Sequence, residues 1–439
     1  MTDPTLTPVV DEDQAPHVPT TVEPLPLSSP EPAGPPESRL TPRQWVRKNL
    51  FATPFGSVLT VAFGLVLAYA AYRLAWFAFV SSDWEVVRRN LRRFMIGGQY
   101  PDDQIWRVWV ALYMVGGLVG LFSGARVANA RRQAEAAGRE VARPGRWDWI
   151  RRYWPALAAI ALVLSQTRTW TPTLLTVLGG VVLALARVLG QRAPQLARFT
   201  WLAALVGVLA VVYLLTGPGG VSWTDWGGLH MTAFVTVVGI ALSFPLGVLV
   251  ALARRSSLPA LRVVAVGYIE LIRGVPLVTL LFLGQYVIPL FFPNTTEPPS
   301  SLTRALIAIT LFEAAYVAEV VRGGLQAVPR GQREAAEAVG LSRWKVTRLI
   351  VLPQAMRAVI PAMVGQFISL FKDTSLLQII AIVEFLDVAK SSVQQDEFLA
   401  QGLHTVTFAF AALSYWAVSY TMSRESRRLE HRLGVGERR

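Results

Sequence analysis

The side chains in this sequence that could do chemistry are ionisable groups set within apolar runs. Glu270, Arg273 and Pro276 fall inside a run from about Val263 to Phe291. A charge at the bilayer centre costs at least ~2.5 kcal/mol, so such residues either pair or face water. Glu270 and Arg273 lie three apart and can pair on one helix face. Pro276 lacks a backbone donor and permits a kink. A broken, charged helix suits a translocation path; the same residues would equally serve as a salt bridge that fixes helix packing. Glu313, Glu319 and Arg322 form a similar set in the next apolar run, and Lys372, Asp373, Thr374 and Ser375 place polar groups in a third. The search for catalysis is negative. His17, His230, His404 and His431 are scattered without ligand spacing, and there is no cysteine. No Gly-x-x-x-x-Gly-Lys-Ser/Thr run cradles phosphates, and no Ser/His/Asp signature appears. The expectation is a protein without cofactor or metal that is not an enzyme and does not itself hydrolyse ATP.

The elements that must position these groups are membrane helices. Of 439 residues, 53% are hydrophobic, and the mean hydropathy is +0.41. Composition of this kind implies an all-α polytopic membrane protein. The net charge of +13 sits mostly in short segments between apolar runs, the positive-inside pattern, which points to membrane lipid and away from nucleic acid. Residues 1–40 are rich in Pro, Ser, Thr, Asp and Glu and read as a disordered cytoplasmic tail.

Residues 41–225 supply additional membrane helices, at about Pro54–Val80, Trp106–Ser123, Tyr153–Leu164, Pro172–Leu189 and Phe199–Thr216. The second carries Gly116, Gly120 and Gly124 at a spacing suited to close packing. The third is short enough to be re-entrant, so 153–189 leaves the span count open. Between the first two, Arg88, Arg89, Arg92 and Arg93 alternate with Val86, Val87, Leu91, Phe94 and Met95. That stretch, Trp84–Ile96, reads as an interfacial amphipathic helix, and its external placement runs against the positive-inside rule. Residues 226–428 supply spans at about Leu229–Ala253, Val263–Phe291, Leu302–Val321, Val359–Ile380 and Leu403–Met422. The total is about ten transmembrane helices. Both termini are then cytoplasmic, and 429–439 is a basic cytoplasmic tail.

Residues 331–353, GQREAAEAVGLSRWKVTRLIVLP, interrupt this pattern and are too polar for lipid. Glu334, Ala335, Ala336, Glu337 and Ala338 favour a helix that Gly340 can end in the left-handed conformation. Leu341 precedes Ser342, a good N-cap, and can staple to Val346. The second helix is expected to stop before Pro353. Trp344, Leu349 and Ile350 are expected to pack back on the membrane core, while Arg333, Arg343 and Arg348 face phospholipid. The result is an elbow of two short helices.

Glu334-Ala335-Ala336, then Gly340 and Leu341, then Ile350-Val351-Leu352-Pro353, resembles the EAA loop of permease subunits in binding-protein-dependent ABC importers. The flanking Ala315–Gln332, Ile269–Val278 and Phe371–Leu377 are similar to the amino-acid branch, particularly the general L-amino-acid permeases. The resemblance covers roughly Trp226 to Arg428. It implies a five-helix type I permease core over 226–428, whose elbow, with Glu334, Ala335, Ala336, Gly340, Leu341 and Pro353, couples to a separate cytoplasmic ABC ATPase. It further implies a second permease subunit, expected to be a related shorter chain, and a periplasmic or extracellular amino-acid-binding protein. The cargo would be L-amino acids, polar and of broad specificity, moved across a bacterial inner membrane. Paired charges in the spans could complement an amino acid's carboxylate and ammonium. An ion-coupled secondary amino-acid transporter is the alternative; it would need a structural repeat across the chain, which is not visible, and would leave the elbow unexplained.

Overall fold

The computed structural model describes residues 41–138, 148–167, 169–293 and 297–433. The tail expected over 1–40 and the last residues of the basic tail, 434–439, lie outside the described residues. All regular elements among the described residues are helical. The chain divides into two compact units, one ending at Ser81 and one from Ser82 onwards.

In the first unit, α1 (Pro42–Leu50) starts at a capping box between Thr41 and Gln44, and α2 (Pro54–Trp76) starts at Thr53, whose hydroxyl accepts the Gly56 amide. A π turn extends α2 to Ser81, giving a 28-residue apolar helix. At ~1.5 Å per residue it exceeds the ~30 Å hydrocarbon core. None of its residues is buried within the chain, as a helix facing lipid requires.

The second unit opens with α3 (Glu85–Arg89) and α4 (Leu91–Ile96), where a single interfacial helix was expected. These are not laid on lipid: Val86, Val87, Phe94 and Tyr100 are at most 1% exposed. Phe94 packs edge-on against Phe385 and Phe410 at 5.6 and 5.0 Å. Asn90 and Gln395 exchange two side-chain amide hydrogen bonds of 3.0 Å. The arginines are met by carboxylates: Arg88 and Arg89 by Glu85, Arg89 also by Glu397, and Arg92 by Asp102. The apolar residues that alternate with them therefore face protein.

Helices α5 (Ile105–Ala136), α6 (Asp148–Ser165), α7 (Thr171–Arg192) and α8 (Thr200–Thr216) follow. The glycine stripe of α5 meets α7 at two of its three members. A Cβ on Gly120 would stand 2.4 Å from the Leu183 carbonyl oxygen and one on Gly124 2.1 Å from that of Arg187, whereas Gly116 has open space. Then come α9 (Gly228–Arg254), α10 (Pro259–Gly274), α11 (Leu277–Phe282, prolonged by a π turn over Leu283–Val287) and α12 (Ser301–Ala327). The elbow is α13 (Arg330–Ala338) and α14 (Arg343–Lys345). After it run α15 (Leu352–Asp373), α16 (Phe385–Ser392) and α17 (His404–Leu433).

The run expected to cross as one span over Val263–Phe291 is bent by 104° between α10 and α11. The cause is local: Val275, ahead of Pro276, is held extended at φ −107° and ψ 133°. Five described helices are long and apolar enough to cross a membrane, or six if the bent pair is one span. The ten expected spans include α8 and the apolar part of α6, which are shorter, and α12 and α17, which are more polar.

Apolar clusters hold the second unit together, two of them in addition to the packing of Phe94, Phe385 and Phe410. One gathers Trp226, Val235, Leu281, Ile309 and Leu370, and the other, at the elbow, gathers Ala251, Val317, Ala336, Val346 and Val359. We expect Phe94→Ala to lower stability by about 3–5 kcal/mol, and Asn90→Ala, which strands the Gln395 amide, by about 1–3 kcal/mol. Phe79→Ala, at a side chain 88% exposed, should change nothing. Thermal unfolding of the purified chain in neutral detergent checks all three, and equal midpoints for Phe94→Ala and Phe79→Ala would contradict the packing role.

Candidate functional site

The elbow is set by backbone hydrogen bonds at Gly340. The Leu341 amide donates to the Ala336 carbonyl at 3.2 Å, and the Gly340 amide to that of Glu337 at 2.9 Å. This crossed pair is a Schellman ending, and it needs a residue at positive φ; Gly340 has φ +83°. Ala336 is buried in the elbow-side cluster with Val346, and Leu341 packs against the same cluster. Glu334, Ala335 and Gly340 consequently face outward.

Three local expectations are corrected. Ser342 has N-cap backbone angles, but its hydroxyl accepts no amide. The chain does not stop before Pro353: it widens into a π turn over Val346–Val351 and continues directly as α15. Pro353 lacks an amide just after this widened turn, where the regular helical ladder is already interrupted. Finally, Trp344 and Leu349 are 63% and 58% exposed, and only Ile350 of the three packs inward. Their side chains, with Val339 at 77% exposure, give the elbow an apolar outer surface.

The ionisable residues of the spans do not converge on one site. Glu270 does not pair with Arg273. Its carboxylate turns toward Arg254 on α9 at 3.6 Å, while the Arg273 guanidinium lies over the Tyr316 ring, 5.4 Å from its centroid. Arg254 also reaches Glu319 at 3.1 Å, and Arg322 Nε donates to Glu319 at 2.9 Å. This network ties α9, α10 and α12 together next to the elbow, with Pro276 at the break just beyond Arg273. Glu313 lies on α12 between the two apolar clusters, 1% exposed, and accepts Gln366 Nε2 at 3.2 Å; its second oxygen has no hydrogen-bond partner.

Lys372 and Asp373 close α15, followed by Thr374 and Ser375. Lys372 is exposed and Thr374 fully buried, with its hydroxyl on the Phe371 carbonyl at 2.8 Å. Close by, Glu384 is fully buried. Its carboxylate accepts the Leu386 and Asp387 amides, each at 2.8 Å, and the Tyr415 hydroxyl at 3.0 Å. Burial pushes the Glu384 carboxyl above its ordinary range, against the pull of those three donors. Sequence reasoning missed Arg254, Gln366 and Tyr415, whose partners lie on other elements, and Glu384, which caps α16 and also meets Tyr415 on α17. Among the described residues, no group of three His, Cys, Asp or Glu side chains could hold a metal.

Stability should respond to these contacts unequally. Glu319→Gln, at the centre of the network, should cost on the order of 2–3 kcal/mol; Glu270→Gln, whose side chain is 62% exposed, should cost under about 1 kcal/mol. Denaturation of the purified chain tests this, and a larger loss at Glu270 would refute the assignment. A carboxyl raised by folding favours the folded state when protonated. The Glu384 contribution is therefore lost as pH rises from the ordinary carboxylate range through the folded value. Glu384→Gln should flatten the decline of unfolding midpoint with pH across that window; an unchanged slope would show that Glu384 does not set it.

Compared with known proteins, residues 243–435 match the family described as binding-protein-dependent transport system inner membrane component. The chain is 35% identical over 407 residues to the inner membrane amino-acid ABC transporter permease protein YhdY of Escherichia coli (strain K12), covering 89% of this chain and 93% of that one. It is 35% identical over 445 residues to the glutamate/glutamine/aspartate/asparagine transport system permease protein BztC of Rhodobacter capsulatus, covering 93% and 96%. It is 36% identical over 208 residues to the probable glutamine ABC transporter permease protein GlnP of Bacillus subtilis (strain 168), covering 47% of this chain and 92% of that one.

Proposed function

Because the chain belongs to the family of binding-protein-dependent inner membrane components, as a multi-pass permease subunit of an amino-acid ABC importer, we propose that it admits polar L-amino acids of broad specificity to the cytoplasm, driven by a separate ABC ATPase. The observation that carries this reading is the elbow. Its Schellman ending exposes Glu334, Ala335 and Gly340 while Ala336 and Val346 fix it to the core, and Val339, Trp344 and Leu349 add apolar surface beside them. An exposed surface of small, apolar and acidic side chains, rigidly joined to the spans, is what a docking ATPase needs in order to move them.

In this reading 331–353 is the coupling loop of a permease core over 226–428, and both termini are cytoplasmic. ATPase closure moves the elbow and opens the path outward; reset opens it inward. A related shorter permease completes the path, and an external amino-acid-binding protein delivers cargo. The names of BztC and GlnP, which specify glutamate, glutamine, aspartate and asparagine or glutamine alone, support polar cargo here. Glu270, Arg273, Pro276, Glu313 and Lys372 to Ser375 are assigned to the path, with Glu270 and Arg273 belonging to its inner-end network.

Affinity co-purification from membranes tests the coupling surface. Glu334→Arg and Gly340→Val should each reduce the recovered ATPase by at least ~10-fold, a loss of about 1.4 kcal/mol in association. Gly340→Val acts through backbone strain alone, since no atom lies within 4 Å of the glycine's Cβ position. Full ATPase recovery with both variants, correctly inserted, would remove the elbow from the coupling role.

A further inference from the structure

Arg304 is a cation at the least favourable end of a long helix. It lies in the first turn or so of α12, which begins at Ser301 and has no acidic residue in that turn. The helix dipole makes this end positive and disfavours a second positive charge there. Only 8% of the residue is exposed. Its Nη2 donates to Gln285 Oε1 at 3.2 Å and to Ser301 Oγ at 3.0 Å, both neutral, and its Nε has no partner. Among the described residues no carboxylate lies within ion-pairing distance of it. A buried ion without a counter-ion costs several kcal/mol. The chain leaves that cost uncompensated at one well-framed position.

The frame is specific. Gln285 belongs to the π turn that prolongs α11 and donates in turn to Ser301 Oγ at 3.2 Å. Two neutral side chains thus hold the guanidinium without neutralising it, and single π turns favour functional positions. Gly284 brings this turn close: its Cβ would stand 3.2 Å from the Arg304 carbonyl oxygen. The site is far from the elbow, since α12 has 27 residues and spans ~40 Å. It therefore lies at the end of the core where cargo from outside would arrive.

We propose that Arg304, framed by Gln285 and Ser301, is the outer-end binding point for the carboxylate of a transported amino acid. The planar guanidinium fork matches a carboxylate, and an arriving anion would neutralise both the side chain and the helix end. The proposal rests on the amino-acid import reading above. It is independent of Glu313, which points to α15 from another side of α12.

The test compares the intact chain, purified in neutral detergent, with R304Q and R304K. L-glutamine should raise the unfolding midpoint of the unmodified chain, and L-glutaminamide, which lacks the carboxylate, should not. R304Q should lose the glutamine shift and, freed of an unpaired cation, unfold no earlier than the unmodified chain without ligand; R304K should keep a smaller shift. In cells carrying the complete importer, R304Q should lower L-glutamine uptake by ~10-fold. Earlier unfolding of R304Q with its glutamine shift intact would make Arg304 a structural residue. A shift produced by phosphatidylglycerol nanodiscs and not by glutamine, lost in R304Q, would make the ligand a lipid phosphate. Normal uptake in R304Q would overturn this proposal alone, whereas absence of any amino-acid uptake by the unmodified importer would overturn the import reading with it.

Discussion

A charged side chain is tolerated in hydrocarbon only where something meets it, and α12 has Arg304, Glu313, Glu319 and Arg322 to place. Three of them reach different neighbouring elements, and Arg322 pairs on its own helix. Arg304 goes to the turn that continues α11, Glu313 to Gln366 on α15, and Glu319 to Arg254 on α9 and Arg322 on its own helix. Since each residue advances a helix by about 100°, rotating α12 by a single position would break its contacts to the α11 turn, α15 and α9 at once, leaving only the Glu319–Arg322 pair on its own helix. The charges therefore fix the rotation of α12, and the helices packed on it inherit their positions. Apolar packing alone is more permissive: the clusters on either side of Glu313 are built of Ile309, Val317, Ala318 and similar side chains, which tolerate small slides.

The segment 82–104 follows the same rule at a surface. Four arginines in a segment expected outside the cytoplasm would offend the positive-inside tendency if they were free. Glu85, Asp102 and Glu397 meet three of them, and the alternating apolar side chains fill space beside Phe385 and Phe410. Residues 82–104 are thus built into the packing around α16 and α17. A membrane-surface helix and a core-packed hairpin share one alternating pattern, so the pattern alone does not choose between them.

What the sequence made legible was local. The turn at Gly340, the break before Pro276 and the close approach at Gly120 and Gly124 each depend on a few neighbouring residues, and each appears in the fold, whereas Ala336, expected on the coupling surface, is buried in the core. What it hid was pairing at a distance. Glu319 and Arg254 are 65 residues apart, and Asn90 and Gln395 are 305 apart. Glu270 and Arg273 had the right spacing for one another, yet tertiary partners displaced that pairing. Pro353 misled for a related reason: proline bars the preceding residue from α geometry less firmly when the helix before it is free to widen.

That widening has a mechanical consequence. From Arg343 to Ile380 the chain forms one unbroken helical stretch of 38 residues, running through the π turn, Pro361 and a final 3-10 turn. At ~1.5 Å per residue Ser375 stands roughly 48 Å from Arg343, so a tilt of only ~5° of the whole stretch at the elbow carries Ser375 through about 4 Å. A small tilt at the elbow thereby becomes a displacement approaching the size of an amino-acid side chain at the far end of the helical stretch.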